Sequence, residues 1–545
     1  MVVSRATTTR TETAMADYDA IIIGAGHNGL TAANVLSKAG ARVLVLERAR
    51  FVGGMAATRQ LFDGFKHSVG AWAVLVWSEL MTERLELSKW DFELVEQWSS
   101  ACTFGEPEDT PFVMYNDPER MAQHMLEDHS PDVAMRMGDF FAHLMKFEPY
   151  FDKARFDPNV NVFEVIAEQT DPQTRRDFAQ MWFGSAMDTV RRFLPKGVGD
   201  PIQGSMAAMS IDGFDGGPWT PGSGTSMLYH YLVRSPGEAS DRILMPRGGI
   251  GSLSSALQHR AESMGAEVRL NTAVKSIDLV DGTATGVTLR DGTRISADIV
   301  LSSLDPHTTF RELVGDEHLP DEYVRKLKEI NYDLGYLQAH LTIEGEPEFV
   351  EWLQPYVHDQ GHTVPTLAYL PSAEYVSDGW DEYRFNACPS KPICYLYLPS
   401  MVDHSLAPEG FHSATIYAPY FPYGLDPETH RTMKDAYTDA CIASIDKYSP
   451  KFSERIIDRV TMSDRYFQSA FSAHNGDFTH GTLAPLQMWD NRMAPGEPKY
   501  ATPVNNLFMC GQGTHAGPGV TGIPGWNGGT EAVEALNARH ASAVL

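Results

Sequence analysis

The protein has 545 residues, of which 43% are hydrophobic, and this is enough for more than one packed core. Its 44 basic and 71 acidic residues give a formal net charge of −27, which argues against nucleic acid or an anionic membrane as the main partner. The five cysteines form no C-x-x-C pair, so we predict no metal site and no redox-active cysteine pair, and we expect a cytoplasmic protein.

The N-terminus carries no recognisable secretory signal, because its first sixteen residues are rich in Thr and Arg and lack an apolar stretch. We predict a disordered extension over residues 1–16, with a weak transit peptide as the alternative, and Met15 has the position of an alternative start. No apolar run of the chain approaches the ~18 residues that a membrane-spanning helix needs.

The first structured segment contains a G-x-G-x-x-G turn. An apolar strand, Ala20 to Ile23, leads into Gly24, Gly26 and Gly29, and a helical stretch follows. Gly24 permits the tight turn, Gly26 lets the backbone approach a pyrophosphate, and Gly29 lets the helix pack on the strand. The positive end of that helix then faces the phosphates of a bound dinucleotide.

A second strand, Val43 to Leu46, ends in Glu47. A carboxylate at this point can accept hydrogen bonds from the ribose hydroxyls of the adenosine, and it would repel a 2′-phosphate. The pattern therefore predicts a dinucleotide site that disfavours NADP and leaves NAD and FAD as alternatives.

The chain after Glu47 is rich in glycine and then strongly apolar. Gly53, Gly54 and Gly64 precede the stretch GAWAVLVW, which runs from Gly70 to Trp77. We interpret this stretch as a core or pocket wall, with a patch resting on lipid as the alternative.

Two long segments, 81–239 and 311–499, are rich in aromatic residues and methionine and are predicted to build a substrate domain. One cluster lies on a predicted helix and another marks strands and turns: Met135, Met137, Phe140, Phe141, Met145, Phe147 and Tyr150, and Tyr395, Tyr397, Tyr417, Tyr420 and Tyr423. Core packing explains most of these side chains, but a large apolar cavity is also the expected site for an apolar ligand.

Residues 243–306 predict a glycine loop, a helix, a short strand (Glu267 to Leu270) and hairpin strands with Asp281-Gly282 and Asp291-Gly292 turns. Near the C-terminus, a strand from Leu507 to Cys510 precedes six glycines and a helix predicted to start near Asn527. A backbone of this kind can lie against a flat ring system, and the final helix would direct its positive end at the ligand. Cys510 or a histidine could attach a flavin covalently, but a buried strand cysteine is the preferred interpretation.

Taken together, these blocks resemble the phytoene desaturase-like FAD-dependent oxidoreductases. The resemblance rests on GAGHNGL at 24–30, on the glycine-rich segment after Glu47, and on G-x-G-T-H followed by G-x-P-G at Gly511 to His515 and Gly522 to Gly525. The opening motif most resembles the branch that includes the animal pyridine nucleotide-disulfide oxidoreductase domain protein 2. One departure is Gln512, where many flavoproteins carry Asp or Glu.

The resemblance implies an α/β fold: a Rossmann-type FAD-binding domain, of the glutathione reductase and amine oxidase type, with an inserted α+β substrate domain. The FAD-binding domain would comprise 17–80, 240–310 and 500–545, and the substrate domain 81–239 and 311–499. FAD would be bound without a covalent bond. The predicted cofactor-binding residues are Gly24, Gly26, His27, Asn28, Gly29, Glu47, Arg48, Gly53, Gly54, Met55, Ala56, Gly70, Ala71, Trp72, Val274, Ser302, Gly511, Gln512, Gly522 and Ile523.

Catalytic residues are less sharply indicated by the sequence. The resemblance places a Gln near the flavin at Gln487, and we predict His480 as an acid or base, with Trp489 and His515 in the substrate pocket. A structural, hydrogen-bonded role for His480 is the alternative.

The function predicted from this resemblance is a dehydrogenase or desaturase that transfers hydride from an apolar, isoprenoid-like or cyclic substrate to flavin N5. The alternatives are a flavin amine oxidase and an FAD-binding partner or stability protein without turnover. Oxygen, a quinone or a redox protein could accept the electrons. Peripheral contact with a membrane is left open, and the oligomeric state is not indicated.

Overall fold

The computed structural model describes residues 16–74, 76–95, 97–233, 244–493 and 499–544. Its backbone is organised around two seven-stranded sheets. The extension predicted for residues 1–16 lies outside the described residues except for Ala16. None of the helices within these ranges is both long and apolar enough to cross a membrane.

The first sheet has a parallel centre. Tyr18–Ile23 pairs in parallel with Val43–Leu46 on one side and with Arg294–Ser302 on the other. Both apolar strands are buried on their two faces, as parallel strands covered by helices usually are. The strands in spatial order are Val274–Val280, Thr283–Leu289, Arg294–Ser302, Tyr18–Ile23, Val43–Leu46 and Glu267–Arg269, and Leu507–Met509 pairs with Arg294–Ser302.

Alternate side chains of these strands enter two different cores, because successive residues of a strand point to opposite faces. Ile22 and Val45 pack in a core with the first helix, His27–Lys38, and the last helix, Ile523–Val544. Ile21 and Leu44 pack on the other face.

The second sheet is mixed, and its central strand Tyr336–Glu344 pairs antiparallel with Phe411–Pro419 and with Ile456–Met462. One face, with Leu337, Leu396 and Ile416, is buried in an apolar core. The strands in spatial order are Ile456–Met462, Tyr336–Glu344, Phe411–Pro419, Tyr395–Tyr397, Thr366–Tyr369, Ser99–Phe104 and Phe112–Tyr115.

Helices surround both sheets, and several begin at a side-chain cap followed by proline, as at Ser130 and Asp426. The α-helices are His27–Lys38, Glu79–Arg84, Pro118–Gln123, Pro131–Met145, Glu148–Phe156, Val162–Glu168, Pro172–Phe183, Ala186–Phe193, Asp200–Ile211, Ser223–Leu232, Gly251–Ser263, Asp321–Leu327, Gln354–Val357, Ala373–Tyr383, Pro427–Ile445, Asp464–Phe471 and Ile523–Val544. Short two-stranded pairs join Ala56–Phe62 with Phe65–Gly70, Leu94–Val95 with Met245–Pro246, and His358–Asp359 with His362–Thr363.

Most predicted elements are present with shifted ends. The final helix starts at Ile523, before the predicted Asn527, since Pro524 is tolerated in a first helical turn and Thr521 Oγ1 accepts a hydrogen bond from the Ile523 N–H at 3.2 Å. The core of the first sheet also reaches past the predicted segment boundary at 310: Phe310 and Tyr323 pack in the same cluster as Ile21.

Candidate active site

A long cavity begins at the carboxyl ends of the parallel strands and continues to the second sheet. Ile23, Leu46 and Ser303 line it at the ends of three strands of the first sheet. This is the edge where ligands bind in open sheets of this kind, because helix N-termini and loops converge there.

The glycine turn at this edge has the geometry that its sequence predicts. Gly24 adopts φ +93°, and Ser303 Oγ donates to the carbonyl oxygens of Ile23 and Gly24 at 3.0 and 3.1 Å. A Cβ on Gly29 would lie 2.1 Å from the Gly24 oxygen, so close packing requires glycine there. A Cβ on Gly26 would meet nothing within 4 Å, so this glycine faces open cavity.

Two buried polar atoms in the turn have no hydrogen-bond partner in the part of the chain that the structure describes. His27 Nε2 and Asn28 Oδ1 are buried and make no hydrogen bond among the described residues. Burial lowers the pKa of His27 to about 4, so its ring is neutral at pH 7. Because buried polar groups are normally hydrogen-bonded, these atoms fit a cofactor that supplies the missing partners.

Glu47 also lines the cavity, and backbone groups hold its carboxylate. Oε2 accepts from the Ala25 N–H and Oε1 from the Ala49 N–H, both at 2.8 Å. Each oxygen keeps a lone pair for a ribose hydroxyl. Burial raises the pKa of Glu47 despite these hydrogen bonds.

At the Glu47 end of the cavity, the structure places one predicted serine away from the cavity. Arg48 and Val274, two of the predicted cofactor-binding residues, line the cavity, but Ser302 does not. The Ser302 hydroxyl is buried against Thr309 Oγ1 at 2.7 Å, and the cavity position belongs to Ser303. Adjacent residues of a strand point to opposite faces, which explains the shift by one residue.

The glycine-rich segment after Glu47 forms one wall. Its cavity-lining residues are Gly53, Gly54, Met55, Ala56, Gly70, Ala71 and Trp72. Gly53 N–H donates to the Ala25 carbonyl at 2.8 Å, which joins this wall to the glycine turn. Val74 and Trp77 are buried, so the described part of GAWAVLVW forms pocket wall and core.

The C-terminal glycines mostly pack against protein. Gln512 and Gly519 line the cavity, whereas Gly511, Gly522 and Ile523 do not. A Cβ on Gly511 would lie 2.4 Å from the Ser303 oxygen, and one on Gly522 would lie 2.9 Å from the Trp77 ring. Gly511 and Gly522 are therefore explained by the close approach of this loop to neighbouring segments. Gly519 and its neighbours are the part of the loop that could contact a flat ring in the cavity.

The far end of the cavity is aromatic. Tyr336, Gln338, Tyr397 and Tyr417 lie on the face of the second sheet opposite its apolar core and line the cavity. Trp72 stacks on Tyr397 with ring centroids 4.2 Å apart and planes 21° apart. Gln338 Nε2 donates to the Gly70 carbonyl at 2.7 Å, and Gln338 Oε1 accepts from the Gly70 N–H at 3.1 Å, so Gln338 connects the two halves of the cavity.

His480 is the one predicted catalytic residue that lines the cavity. It adopts φ +55°, and its Nδ1 is buried without a partner among the described residues. Burial and the nearby Arg492 charge lower the pKa of His480 to about 3. A ring with this pKa is neutral at pH 7 and suits hydrogen bonding to a ligand better than proton transfer.

The other three residues predicted for catalysis or the substrate pocket, Gln487, Trp489 and His515, do not line the cavity. Gln487 Oε1 accepts from the Asn331 N–H at 2.8 Å, so the side chain is used to fix a loop. Trp489 packs against Trp182, with ring centroids 4.4 Å apart, and His515 Nε2 donates to the Ala154 carbonyl. In the folded protein, all three side chains pack against or hydrogen-bond to other protein groups and have structural roles.

Sequence reasoning missed Asp212, Gly213, Tyr229 and His230, which line the aromatic end. They lie at the end of Asp200–Ile211 and on the helix Ser223–Leu232. No motif marks them, and only the Asp-Gly pair after a helix could have drawn attention to the position.

Among the described residues, no group of three or more His, Cys, Asp or Glu side chains could hold a metal ion. Cys510 is a buried free cysteine, and burial raises its thiol pKa well above the ordinary range. A neutral thiol of this kind is a poor nucleophile, which agrees with non-covalent binding of a cofactor.

Comparison with known proteins identifies the cofactor. Residues 29–536 match the family described as flavin containing amine oxidoreductase. Mouse pyridine nucleotide-disulfide oxidoreductase domain-containing protein 2 is 26% identical over 537 residues, covering 94% of this chain and 92% of that protein. One of the subunits of limonene dehydrogenase from Castellaniella defragrans is 26% identical over 545 residues, covering 93% of both chains.

A solved structure of an oxidoreductase from Methanosarcina mazei has the same fold, with a TM-score of 0.59 at 15% identity, covering 94% of this chain and 99% of that one. These findings confirm the predicted fold class and the resemblance to phytoene desaturase-like proteins. The glycine turn, the unpartnered atoms of His27 and Asn28, and the carboxylate of Glu47 fit FAD. The chain belongs to the flavin-containing amine oxidoreductase family and is an FAD-dependent oxidoreductase.

Proposed function

We propose that this enzyme removes hydride from an apolar substrate, isoprenoid-like or cyclic, bound at the aromatic end of the cavity. The observation that carries the proposal is the continuity of the cavity, which runs from the glycine turn at Gly26 to Trp72 and Tyr397. A substrate at this end would lie next to the reactive part of a cofactor held by the glycine turn and Glu47.

The aromatic walls favour an apolar body. Trp72 and Tyr397 form a stacked pair beside Tyr417, and these rings offer flat faces to a ligand. Burying apolar surface there contributes roughly 25 cal/mol for each Å² removed from water. Limonene, the compound in the name of the relative from Castellaniella defragrans, is an apolar cyclic molecule of the kind that this wall would accept.

Bound FAD would supply the hydride acceptor. The protein residues would orient one C–H bond toward it and exclude water, which positions the reacting atoms and limits side reactions. The neutral His480 ring would donate or accept a hydrogen bond at the cofactor or the substrate. We further propose a cytoplasmic location, since the cysteines of the described chain are free. We propose oxygen, a quinone or a redox protein as the electron acceptor.

The proposal is tested by titrating the purified FAD-containing enzyme anaerobically with a cyclic monoterpene alkene, an acyclic isoprenoid and an amine of similar size. We expect an alkene to bleach the oxidised flavin bands. Bleaching by the amine alone, with peroxide release in air, would identify an amine oxidase. Flavin that dithionite reduces but no compound bleaches would favour a binding protein without turnover.

A pair of variants connects the result to the pocket. Trp72→Ala should raise the alkene concentration for half-bleaching roughly tenfold or more, because the stacked ring pair is lost. Phe385→Ala is the matched control, since Phe385 is 76% exposed and does not line the cavity. If Trp72→Ala and Phe385→Ala had equal effects, the result would contradict the proposal that the aromatic wall binds the substrate.

A further inference from the structure

Within the described part of the chain, a single carboxylate faces the aromatic end of the cavity. Asp212 lines this end, and its side chain is 29% exposed. Oδ1 accepts a hydrogen bond from the Tyr417 hydroxyl at 3.2 Å. Burial and the neighbouring carboxylate raise the pKa of Tyr417 well above its ordinary value, so this hydroxyl stays protonated and donates.

The backbone of Asp212 is fixed by the helix Ser223–Leu232. Ser226 Oγ and His230 Nε2 both donate to the Asp212 carbonyl oxygen, at 2.9 and 3.0 Å. A carbonyl oxygen can only accept, so His230 Nε2 carries the hydrogen. The carboxylate is thus presented to the cavity from a rigid support.

Local helix stability does not explain this carboxylate. Asp212 is the C-cap of the helix Asp200–Ile211. Negative charge at a helix C-terminus is disfavoured by the helix dipole, so an acidic residue here is unfavourable to the helix that it ends.

Within the described ranges, no arginine or lysine forms an ion pair with this carboxylate. Among the described residues, His230 is the side chain within ion-pair distance, with Nε2 3.7 Å from Oδ2, and its Nε2 hydrogen already bonds the Asp212 carbonyl. The arginines of the cavity lining, Arg48 and Arg290, belong to the opposite end, next to Glu47 and to the Ala273 backbone. A carboxylate has about four acceptor positions, so Asp212 retains capacity for a ligand.

We propose that the preferred substrate carries, besides its apolar body, one hydrogen-bond-donating group, a hydroxyl or a protonated amine, that binds the Asp212 carboxylate. The apolar body of the substrate then lies on the tyrosine face of the second sheet, and Asp212 determines which C–H bond is presented for oxidation. This inference rests on the proposed function, because it assigns the substrate to the same aromatic end.

The test uses the FAD-containing enzyme and three compounds with one skeleton: a cyclic monoterpene hydrocarbon, its alcohol and its primary amine. Binding is read anaerobically at pH 7 from the shift of the oxidised flavin bands before any bleaching. We expect the alcohol or the amine to bind at least tenfold more tightly than the hydrocarbon. The compound with the stronger preference identifies the donor group.

Two variants assign this preference to the carboxylate. Asp212→Asn should reduce it to less than threefold while FAD content stays at the wild-type level. Tyr417→Phe should retain it, because the change removes a competing donor and leaves the carboxylate in place. If Asp212→Asn fails to fold, loss of the preference in Tyr417→Phe would still contradict the inference.

Equal binding of the three compounds by the wild-type enzyme, or a preference that Asp212→Asn leaves intact, would overturn the inference. Failure of the proposed function has a different signature. In that case the band shift shows binding, yet no compound bleaches the flavin.

Discussion

At the scale of single residues, Gly26 and Gly29 show that one motif serves two physical purposes. Gly26 has φ −69° and ψ 167°, a conformation that any residue adopts, and a Cβ would meet open cavity. A Cβ on Gly29 would collide with the Gly24 backbone. The fold therefore requires Gly29, and we propose that the ligand requires Gly26.

This difference predicts opposite defects for two similar substitutions. Gly26→Val should give a folded protein that purifies without flavin, because the side chain fills space needed by the pyrophosphate. Gly29→Val should lower the free energy of unfolding by about 3 kcal/mol or more through overpacking. Flavin absorbance and urea unfolding of the two proteins measure these effects.

Gly138→Ala is the control, since a Cβ on this helical glycine also meets open space away from the cavity. It should leave both flavin content and stability at or slightly above the wild-type values. Flavin retained by Gly26→Val at the wild-type level would contradict the assignment of the turn.

At the scale of elements, the loop that carries His480 is held from both sides. Asp477 accepts from the N–H groups of Thr479 and Gly481 at 2.7 and 2.8 Å. Arg492, fully buried, donates to the carbonyl oxygens of Thr479 and Gln512 at 2.6 and 3.0 Å. The guanidinium thus ties the His480 loop to the C-terminal glycine loop at the cavity.

We expect Arg492→Lys to destabilise the protein by on the order of 2–4 kcal/mol and to weaken FAD binding. An ammonium keeps the charge but lacks the planar fork that reaches several carbonyl oxygens. Arg539→Lys is the matched control, because that exposed ion pair with Asp298 should contribute no more than about 1 kcal/mol. Urea midpoints and FAD dissociation constants would distinguish the two, and equal midpoints would contradict the role of Arg492.

At the scale of the whole molecule, the buried histidines make stability depend on pH. Burial lowers the pKa of six of them to about 4, or to about 3 for His480: His27, His67, His129, His474, His480 and His515. Their unfolded pKa is 6.5, so the unfolded chain binds more protons than the native one between these values, and stability falls as the pH is lowered. Asp305 has the opposite effect on stability, because burial raises its pKa to about 6. As the pH is lowered, the native state binds this proton at a higher pH than the unfolded chain does, which favours the native state.

Because more histidines have a lowered pKa than carboxyl groups have a raised one, we predict that the unfolding midpoint of the FAD-free protein falls by roughly 5 °C or more between pH 7 and pH 5. Thermal melts followed by circular dichroism across this range measure the effect. His67→Asn should make the dependence shallower, and His318→Asn, at an exposed position, should not change it. A midpoint that stays constant or rises toward pH 5 would contradict the prediction.

The sequence by itself determined the elements whose interactions are local. The turn at Gly24, the strand Val43–Leu46 and the hairpin turn at Asp281-Gly282 follow from the residues present, because backbone conformation and alternation are set over a few positions. The Gly-rich turn with Glu47 also predicted a dinucleotide site, since its chemistry lies within one strand-helix-strand unit, and the family resemblance indicated FAD rather than NAD.

The tertiary structure alone decided which side chains meet at the aromatic end of the cavity. Gln487, Trp489 and His515 are drawn into packing and backbone contacts, while Asp212 and His230 reach the cavity from helices far away in the chain. A cavity wall built by long-range packing leaves no spacing in the sequence, so its members could not be recognised before the two sheets were in place.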